Sequence, residues 1–356
     1  MRSAAILILL ACLWAGPPAR AAGLAVGIAA PLSDGFERLG RQWVAGAEAA
    51  AETLPGSDIA LYAVDDACSE EGGERAARSL VEANVSIVIG FLCTPAVDAA
   101  MPILAQAGIP VITPVRTNSL TDERAKTGWP IYRLAPRADA EQDAVAQILT
   151  ARWRENLFAI VDDGTIYGRE LAEHFRAEAE LAGLEPVFFD TFRPQLDNQI
   201  GLVGRLRRAG ATHVFVGGDR ADIAIMARDA ANLGYDLTIA GGEALRAEDG
   251  SVELPEGVLM IGLPEWREFA PERTLEFLAD RNIEAEGYVL PGFAALQMAA
   301  GAAARAAETE VGLVEALDSY AFDTAIGIVR FDEKGDLARP LYDLFRYDGD
   351  EFVKAE

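Results

Sequence analysis

The stretch SIVIGFLCTP, residues 86–95, decides how this chain is expected to fold. Its first half is an apolar, β-branched run, which favours a strand that is buried on both faces. Its second half indicates the start of a helix, with Thr94 at the N-cap and Pro95 at the first helical position. A buried strand that leads directly into a helix is the repeating unit of an α/β fold with parallel sheets.

The same strand–helix unit recurs along most of the chain. In the first part of the chain, apolar strands are also predicted at 24–32, 58–66 and 109–114. Near Asp139 the cycle restarts with a helix, and strands and helices again alternate. We therefore predict two α/β units, each of about 120 residues. The last part of the chain has helices first and a strand pair at its end.

The charge of the chain restricts its partners. Its 356 residues include 31 Lys and Arg against 56 Asp and Glu, which gives a formal net charge of −25. Nucleic acid binding needs a basic surface that this composition lacks, and an anionic membrane surface would repel the chain. We expect a soluble, monomeric protein without a nucleic acid partner.

The N-terminus has the features of a secretory signal peptide. Arg2 precedes an apolar run at 4–16, and the letters PPARA then end at Ala21 in the small-x-small form that signal peptidase accepts. The run is too short to cross a bilayer. We predict cleavage after Ala21 and a periplasmic location. Two alternatives are a buried N-terminal helix, which the two prolines oppose, and lipid attachment at Cys12.

Two cysteines, Cys68 and Cys93, remain once the signal peptide is removed. In an oxidising compartment, two such thiols favour a single disulfide. A nucleophilic Cys93 would need a neighbouring histidine, and the chain has only His174 in a predicted helix and His213 at a strand start. A structural zinc site would need four Cys or His ligands with paired spacing. The disulfide is therefore the favoured role.

Residues just past the strands are the candidates for ligand binding, because doubly wound sheets bind ligands at the carboxyl ends of their strands. Thr94 is expected at the positive N-terminal end of a helix, which suits a carboxylate. Val115 and Thr117 follow the strand at 109–114 and offer a carbonyl and a hydroxyl. Tyr167 follows the first strand of the second unit. For Thr94 the alternative is a helix cap that binds nothing.

Two acidic residues, Asp219 and Glu243, each follow a Gly-Gly pair at the end of a predicted strand. Paired carboxylates can act as acid and base, bind a metal or hold an ammonium group. The alternative for each is a solvated loop carboxylate. The sequence lacks the Gly-rich phosphate-binding, nucleophile-elbow and HExxH motifs, so we expect no cofactor, no metal and no catalysis.

The order and spacing of several motifs resemble the periplasmic branched-chain amino acid (Leu/Ile/Val) binding proteins of ABC importers. The resemblance runs from about Leu24 to Glu351, and its most specific pieces are VDDACSEE, VIGFLCTP, GIPVITPVRT, YGRELA, VFVGGD, GFAALQ and FDEKGDL. It implies a type I periplasmic-binding fold, in which two doubly wound, Rossmann-like α/β lobes are joined by three crossovers and close on a small ligand. It also implies a Cys68–Cys93 disulfide and a membrane permease as the partner.

The resemblance also sets the expected boundaries, with residues 1–21 as the signal peptide. The first lobe is expected to comprise residues 22–136 and 265–328, and the second lobe residues 137–264 and 329–356. Each lobe would therefore consist of two separate pieces of the chain.

The ligand contacts that the resemblance implies fall mostly on residues already singled out. The carboxylate-binding hydroxyl falls on Thr94, and the acid that receives the α-ammonium group falls on Glu243. The remaining contacts fall on the Val115 carbonyl, the Thr117 hydroxyl, Tyr167 and Tyr288, which is an aromatic residue of a later helix.

The sequence departs from the leucine-type binders at three positions near the expected ligand. It has Asp219 where a tyrosine is common, Arg116 where alanine is frequent, and Leu39 where a tyrosine lines the side-chain pocket. Either Asp219 and Arg116 pair with each other across the cleft, or Asp219 faces the ligand and selects a polar or cationic side chain. These departures do not affect the expected site for the amino and carboxyl groups of the ligand. They leave the identity of the ligand's side chain undetermined.

The function expected from the sequence is the extracytoplasmic solute-binding subunit of an ABC importer, which captures a small amino acid or a similar ligand by hinge closure. Three alternatives remain. The chain could sense a ligand for a signalling partner, bind an amide or aromatic acid, or use Asp219 and Glu243 as the acid–base pair of an enzyme. The missing nucleophile and the near absence of histidine oppose the enzyme.

Overall fold

The computed structural model describes residues 23–54 and 58–355, which form two α/β lobes. The sheet of the first lobe has five strands, β1 (Leu24–Ala30), β2 (Ile59–Asp65), β3 (Ile87–Gly90), β4 (Val111–Thr113) and β5 (Ile131–Arg133). They are all parallel and lie in the order β2-β1-β3-β4-β5. The inner strands are buried on both faces, which is why their sequences are apolar without alternation.

Helices connect these strands and cover both faces of the sheet. They are α1 (Glu37–Thr53), α2 (Glu70–Glu82), α3 (Thr94–Gln106) and the short α4 (Ser119–Asp122) and α5 (Arg124–Thr127). Helix α3 begins one residue earlier than the sequence predicts, because Cys93 has the extended backbone of an N-cap and Thr94 is already helical. The Thr94 hydroxyl therefore does not cap the helix and is free to make a different contact.

The second lobe repeats this arrangement with a larger, mixed sheet. Its helices are α6 (Ala140–Arg152), α7 (Ile166–Leu181), α8 (Ile200–Ala209) and α9 (Arg220–Asn232), and its strands are β6 (Phe158–Asp162), β7 (Phe188–Thr191), β8 (His213–Gly217), β9 (Thr238–Gly241), β10 (Leu259–Gly262), β13 (Asp343–Tyr347) and β14 (Phe352–Lys354). The order is β14-β13-β10-β9-β8-β6-β7. Strands β6 to β10 are parallel, and the last two strands pair antiparallel.

After β10 the chain returns to the first lobe. It forms α10 (Trp266–Phe269), α11 (Glu272–Ala279), α12 (Val289–Thr309), α13 (Leu313–Ser319) and a hairpin of β11 (Phe322–Thr324) and β12 (Gly327–Val329). Helix α12 packs tightly on α1, since a Cβ atom on Gly46 would lie 1.9 Å from the Val289 carbonyl oxygen. Only glycine allows this approach, and Phe293 of α12 then shares one buried core with Trp43 of α1.

We propose that the third passage between the lobes lies later in the chain than residue 328, where the sequence predicts it. Phe331 and Leu337 pack with the core of the first lobe, whereas Tyr342 packs with the core of the second. We therefore place this crossover between Leu337 and Tyr342 rather than after residue 328. We propose to keep the first two boundaries after residues 136 and 264, because β5 and β10 have ended there.

The predicted disulfide is confirmed. Cys68 and Cys93 are bonded, and their Cα atoms are 5.3 Å apart, which is a usual separation. The bond joins the turn after β2 to the N-cap of α3. Beside it lies Asp66, which is fully buried and accepts a hydrogen bond from the Cys68 amide at 2.9 Å. Burial raises the pKa of Asp66 to about 6.

The predicted signal peptide at 1–21, including Cys12, lies outside the described residues. No helix in the ranges 23–54 and 58–355 has both the length and the hydropathy needed to span a bilayer.

Candidate functional site

A pair of threonine hydroxyls lies at the carboxyl edge of the first sheet. The Thr94 and Thr117 hydroxyl oxygens are 2.7 Å apart, with Thr94 in the first turn of α3 and Thr117 in the loop after β4. The first amides of a helix have no partner within the helix, and the helix dipole is positive at that end. This edge of the first lobe can therefore hold a carboxylate, with two hydroxyls beside it.

Hydrogen bonds from the buried Arg133 fix the loop that carries Thr117. One nitrogen of Arg133, Nη1, donates to the carbonyl oxygens of Val115 at 3.1 Å and Thr117 at 2.8 Å. Arg133 is 1% exposed, and its Nε donates to Asp336 at 2.7 Å. The Val115 carbonyl, a predicted ligand contact, thus already accepts one hydrogen bond and keeps one lone pair for another.

The same buried pair lies beside the segments that pass between the lobes. Asp336 belongs to the stretch before the third crossover, and its second oxygen accepts a bond from Arg137 at 3.0 Å, just after the first crossover. Arg137 also pairs with Asp122 at 3.0 Å. Hydrogen bonds from Arg137 and Lys334 hold the pKa of the Asp122 carboxyl well below its usual range. The ligand loop and two hinge segments therefore share one ionic network.

The opposite edge, on the second lobe, carries acids and phenols. Glu243 begins a 3₁₀ turn after β9, and its amide donates to the Glu141 carboxylate at 2.7 Å. The Tyr167 hydroxyl donates to the same carboxylate oxygen at 2.6 Å. A Cβ atom on Gly242 would lie 2.4 Å from that oxygen, so the second glycine of the Gly-Gly pair is needed to make room for Glu141.

Burial raises the pKa values of Glu141 and Tyr167. The pKa of the Glu141 carboxyl is raised, chiefly because the group is desolvated, although Tyr167 and the Glu243 amide oppose the shift. The pKa of Tyr167 is raised by burial first and by the neighbouring Glu141 charge second. The sequence pattern does not mark Glu141 as a site residue. Glu141 lies at the start of α6 after a crossover, whereas the predicted site residues were sought at the ends of strands.

The two edges meet through Tyr342, a second residue that the sequence pattern does not mark. Arg116, in the loop after β4, donates from Nη2 to the Tyr342 hydroxyl at 2.7 Å. Tyr342 in turn donates to the Glu243 carboxylate at 3.0 Å. Burial is the largest cause that raises the pKa of Tyr342, followed by the charge of Glu243. This chain of hydrogen bonds runs from one lobe to the other.

The predicted alternative that Asp219 pairs with Arg116 is wrong. Asp219 is exposed, and its carboxylate accepts a hydrogen bond from the Asp222 amide at 3.0 Å, so that it caps α9. Arg116 donates instead to Tyr342 and, at 3.4 Å, to the Arg137 carbonyl. A helix-capping role needs only a local contact, whereas the predicted pair would have to span the cleft.

Tyr288, the predicted aromatic contact, lies at the N-cap of α12 and is half-buried. Its ring centroid is 6.2 Å from that of Trp43, in an edge-to-face arrangement. Burial raises the pKa of Tyr288, and the nearby Arg116 charge partly opposes this shift. Tyr288 thus lies on the first-lobe side, near Arg116. Within the described ranges, no group of three or more His, Cys, Asp or Glu side chains is arranged to hold a metal ion.

Comparison with known proteins gives the family. Residues 23–350 match the family described as "Periplasmic binding protein". The chain is 26% identical over 348 residues to the Leu/Ile/Val-binding protein homolog 3 of Brucella melitensis, with 94% of each chain covered. It is also 26% identical over 326 residues to the leucine-, isoleucine-, valine-, threonine-, and alanine-binding protein of Pseudomonas aeruginosa, which covers 88% of this chain and 86% of that one.

A solved structure shows the same fold. The ABC transporter substrate-binding protein from Desulfitobacterium hafniense in complex with Leu superimposes with a TM-score of 0.64 at 20% identity, over 94% of this chain and 100% of that one. The predicted resemblance and the predicted fold, two α/β lobes of the type I periplasmic-binding class, are both confirmed. The chain belongs to the periplasmic binding protein family, whose members are extracytoplasmic solute-binding proteins and not enzymes.

Proposed function

We propose that this chain is the solute-binding subunit of an ABC importer and that it captures a small amino acid between its two lobes. The observation that carries the proposal is the hydrogen-bonded chain from Arg116 through Tyr342 to Glu243, with distances of 2.7 and 3.0 Å. It brings an edge of hydroxyls and helix amides opposite an edge of carboxylates. These are the two surfaces that the two charged ends of an amino acid require.

The α-carboxylate binds at the first-lobe edge in this proposal. Thr94 and Thr117 donate from their hydroxyls, and the N-terminal amides of α3 add their partial positive charge. The α-ammonium group binds Glu243 and the free lone pair of the Val115 carbonyl. Tyr167 and Tyr288 contact the ligand from either side, and Asp219 lies further out at the rim.

Ligand binding favours closure because one small molecule then contacts both lobes. The hinge is formed by the three segments that pass between the lobes, and the closed arrangement offers a surface to the membrane permease. The relatives from Brucella melitensis and Pseudomonas aeruginosa are named as amino acid-binding proteins, which supports the substrate class. Export to the periplasm through the signal peptide at 1–21 and a monomeric state complete the proposal.

The test is a thermal-shift screen on the mature chain from Ala22, unfolded and refolded so that any carried-over ligand is removed. A ligand present at 100 times its dissociation constant stabilises the folded chain by about 2.7 kcal/mol. We expect stabilisation by one or more amino acids, and Glu243→Ala to weaken their binding by about 2–4 kcal/mol. A response confined to amides or aromatic acids, or an unchanged affinity in Glu243→Ala, would overturn the amino acid site.

A further inference from the structure

Arg116 is the one arginine that faces the proposed binding cleft from the ligand loop. Its backbone is fixed by a hydrogen bond from the Ala138 amide to its carbonyl oxygen at 2.9 Å. Its guanidinium uses Nη2 for the Tyr342 hydroxyl and the Arg137 carbonyl. Its Nε is buried and has no hydrogen-bond partner within the described ranges. A buried donor without a partner costs free energy, so binding is favoured for a ligand that draws the guanidinium out of this position and supplies an acceptor for Nε.

The groups that surround Arg116 are mostly neutral. Two phenols lie close to it, Tyr342 before β13, which accepts from its Nη2, and Tyr288 at the start of α12, and burial raises the pKa of both. The Arg116 charge acts directly on the Glu141 carboxyl, where it opposes the rise in pKa caused by burial, and Glu243 is linked to Arg116 through Tyr342. The Glu141 carboxylate accepts hydrogen bonds from Tyr167 and the Glu243 amide, so the link from Arg116 to a carboxylate by hydrogen bonds runs through Tyr342 to Glu243.

An amino acid bound as proposed changes this balance of charge. Its α-ammonium group would neutralise Glu243, and its α-carboxylate would bind at Thr94 and Thr117. The cation of Arg116 would then remain half-buried without a carboxylate hydrogen-bonded to it, because Glu141 acts on it only through space and accepts its hydrogen bonds from other donors. A guanidinium is planar, and Nε together with a terminal nitrogen forms the fork that binds a carboxylate through two hydrogen bonds.

We propose that Arg116 is a specificity-determining residue that selects amino acids with a second acidic group, such as the side-chain carboxylate of glutamate or aspartate. This inference rests on the proposed function. An apolar side chain such as that of leucine would be placed against a desolvated cation, which is unfavourable. A carboxylate side chain instead supplies both the missing charge and the missing acceptor for Nε.

Asp219 is the competing candidate for selecting the ligand's side chain, and it would select a cation. Its carboxylate is exposed and already accepts the Asp222 amide as the cap of α9. Water and the helix amide therefore stabilise this charge without a ligand. A new acceptor would stabilise Arg116 more than a new donor would stabilise Asp219, because Nε of Arg116 is shielded from water and has no partner within the described ranges.

The test is isothermal titration of the refolded mature chain with glutamate, its isosteric amide glutamine, leucine and lysine. We expect glutamate to bind at least about tenfold more tightly than glutamine, because charge-assisted hydrogen bonds are roughly twice as strong as neutral ones. Arg116→Ala should abolish this preference while glutamine still binds. Arg116→Lys should recover only part of it, since an ammonium lacks the planar fork.

Arg78→Ala is the matched control, because Arg78 is exposed on α2 and pairs only with Glu74. It should keep the preference for glutamate. Tighter binding of leucine or lysine than of glutamate, or a preference that survives in Arg116→Ala, would overturn this inference and leave the amino acid site standing. A chain that binds no amino acid at all would overturn the proposed function, and this inference with it.

Discussion

The two edges of the cleft differ in both charge and construction. The first-lobe edge has Thr94, Thr117 and Arg116, which are donors or cations, and it lies at the positive end of a helix. The second-lobe edge has carboxylates and phenols around Glu141 and Glu243. A zwitterion fits between them in one orientation only. The difference teaches that charge is divided between the lobes: the groups for the carboxylate lie on the first lobe and the carboxylate for the ammonium group lies on the second, while the first lobe adds only the neutral Val115 carbonyl to the ammonium site.

The edges are also held in place by different means. The first edge depends on interactions that stabilise the whole fold, namely the buried Arg133–Asp336 pair and the Cys68–Cys93 disulfide. The second edge depends on hydrogen bonds among its own side chains. Substitutions that damage the supports of the first edge should therefore lower the stability of the chain. Substitutions at the second edge should mainly change ligand binding.

The largest expected effect comes from Arg133→Met. The substitution leaves Asp336 buried and removes the hydrogen bonds to the Val115 and Thr117 carbonyls. We expect the free energy of unfolding to fall by about 3–5 kcal/mol, as for other buried pairs that lose one partner. Urea unfolding checks this. Arg78→Met, which breaks the exposed pair with Glu74, should change the free energy of unfolding by less than about 0.5 kcal/mol.

Removal of the disulfide should have the next largest effect. The bond closes a loop with a sequence separation of 25, and the chain-entropy model gives it about 3.5 kcal/mol. We expect Cys68→Ser combined with Cys93→Ser to lower the free energy of unfolding by that order under oxidising conditions. Wild type in a reductant should lose a similar amount. Equal stability of the double variant and the oxidised wild type would contradict this support of the first edge.

Asp66→Asn tests the same region through pH. The folded-state pKa of Asp66, about 6, lies above its ordinary value because of burial, so folding favours the protonated acid. This contribution is fully present below about pH 4 and is lost as the pH rises through about 6, which amounts to about 3 kcal/mol. We expect wild type to lose that much stability relative to Asp66→Asn between pH 4 and pH 7. Parallel pH profiles of the two proteins would disprove the shift.

The smallest expected effect comes from Tyr342→Phe at the link between the edges. It removes the hydroxyl that accepts from Arg116 and donates to Glu243. Two lost hydrogen bonds, each worth about 1 kcal/mol, should cost about 2 kcal/mol, seen as a modest fall in the melting temperature. Tyr62→Phe, at an exposed ring on β2, should have no effect. A loss as large as that of Arg133→Met would remove the distinction between the two edges.

The sequence predicts the parts of this site that follow strands. Thr94, Thr117 and Glu243 all lie at carboxyl ends of predicted strands, and such positions are visible as the end of an apolar run. Glu141 follows a crossover, and Tyr342 meets Arg116 across 226 positions. No local pattern marks such contacts, because they depend on how the lobes are joined. The start of α3 also shifted by one residue, which is the usual uncertainty of a helix boundary.

The most direct test of the divided cleft uses the amino acid that binds best in the screen, together with its N-acetyl and its α-carboxamide forms. Each modification removes the charge that one edge is proposed to recognise, so isothermal titration should show that each form loses about tenfold or more in affinity. In Glu243→Ala the N-acetyl form should lose no further affinity relative to the parent. Full binding of either blocked form by wild type would contradict the account, because one edge would then be recognising nothing.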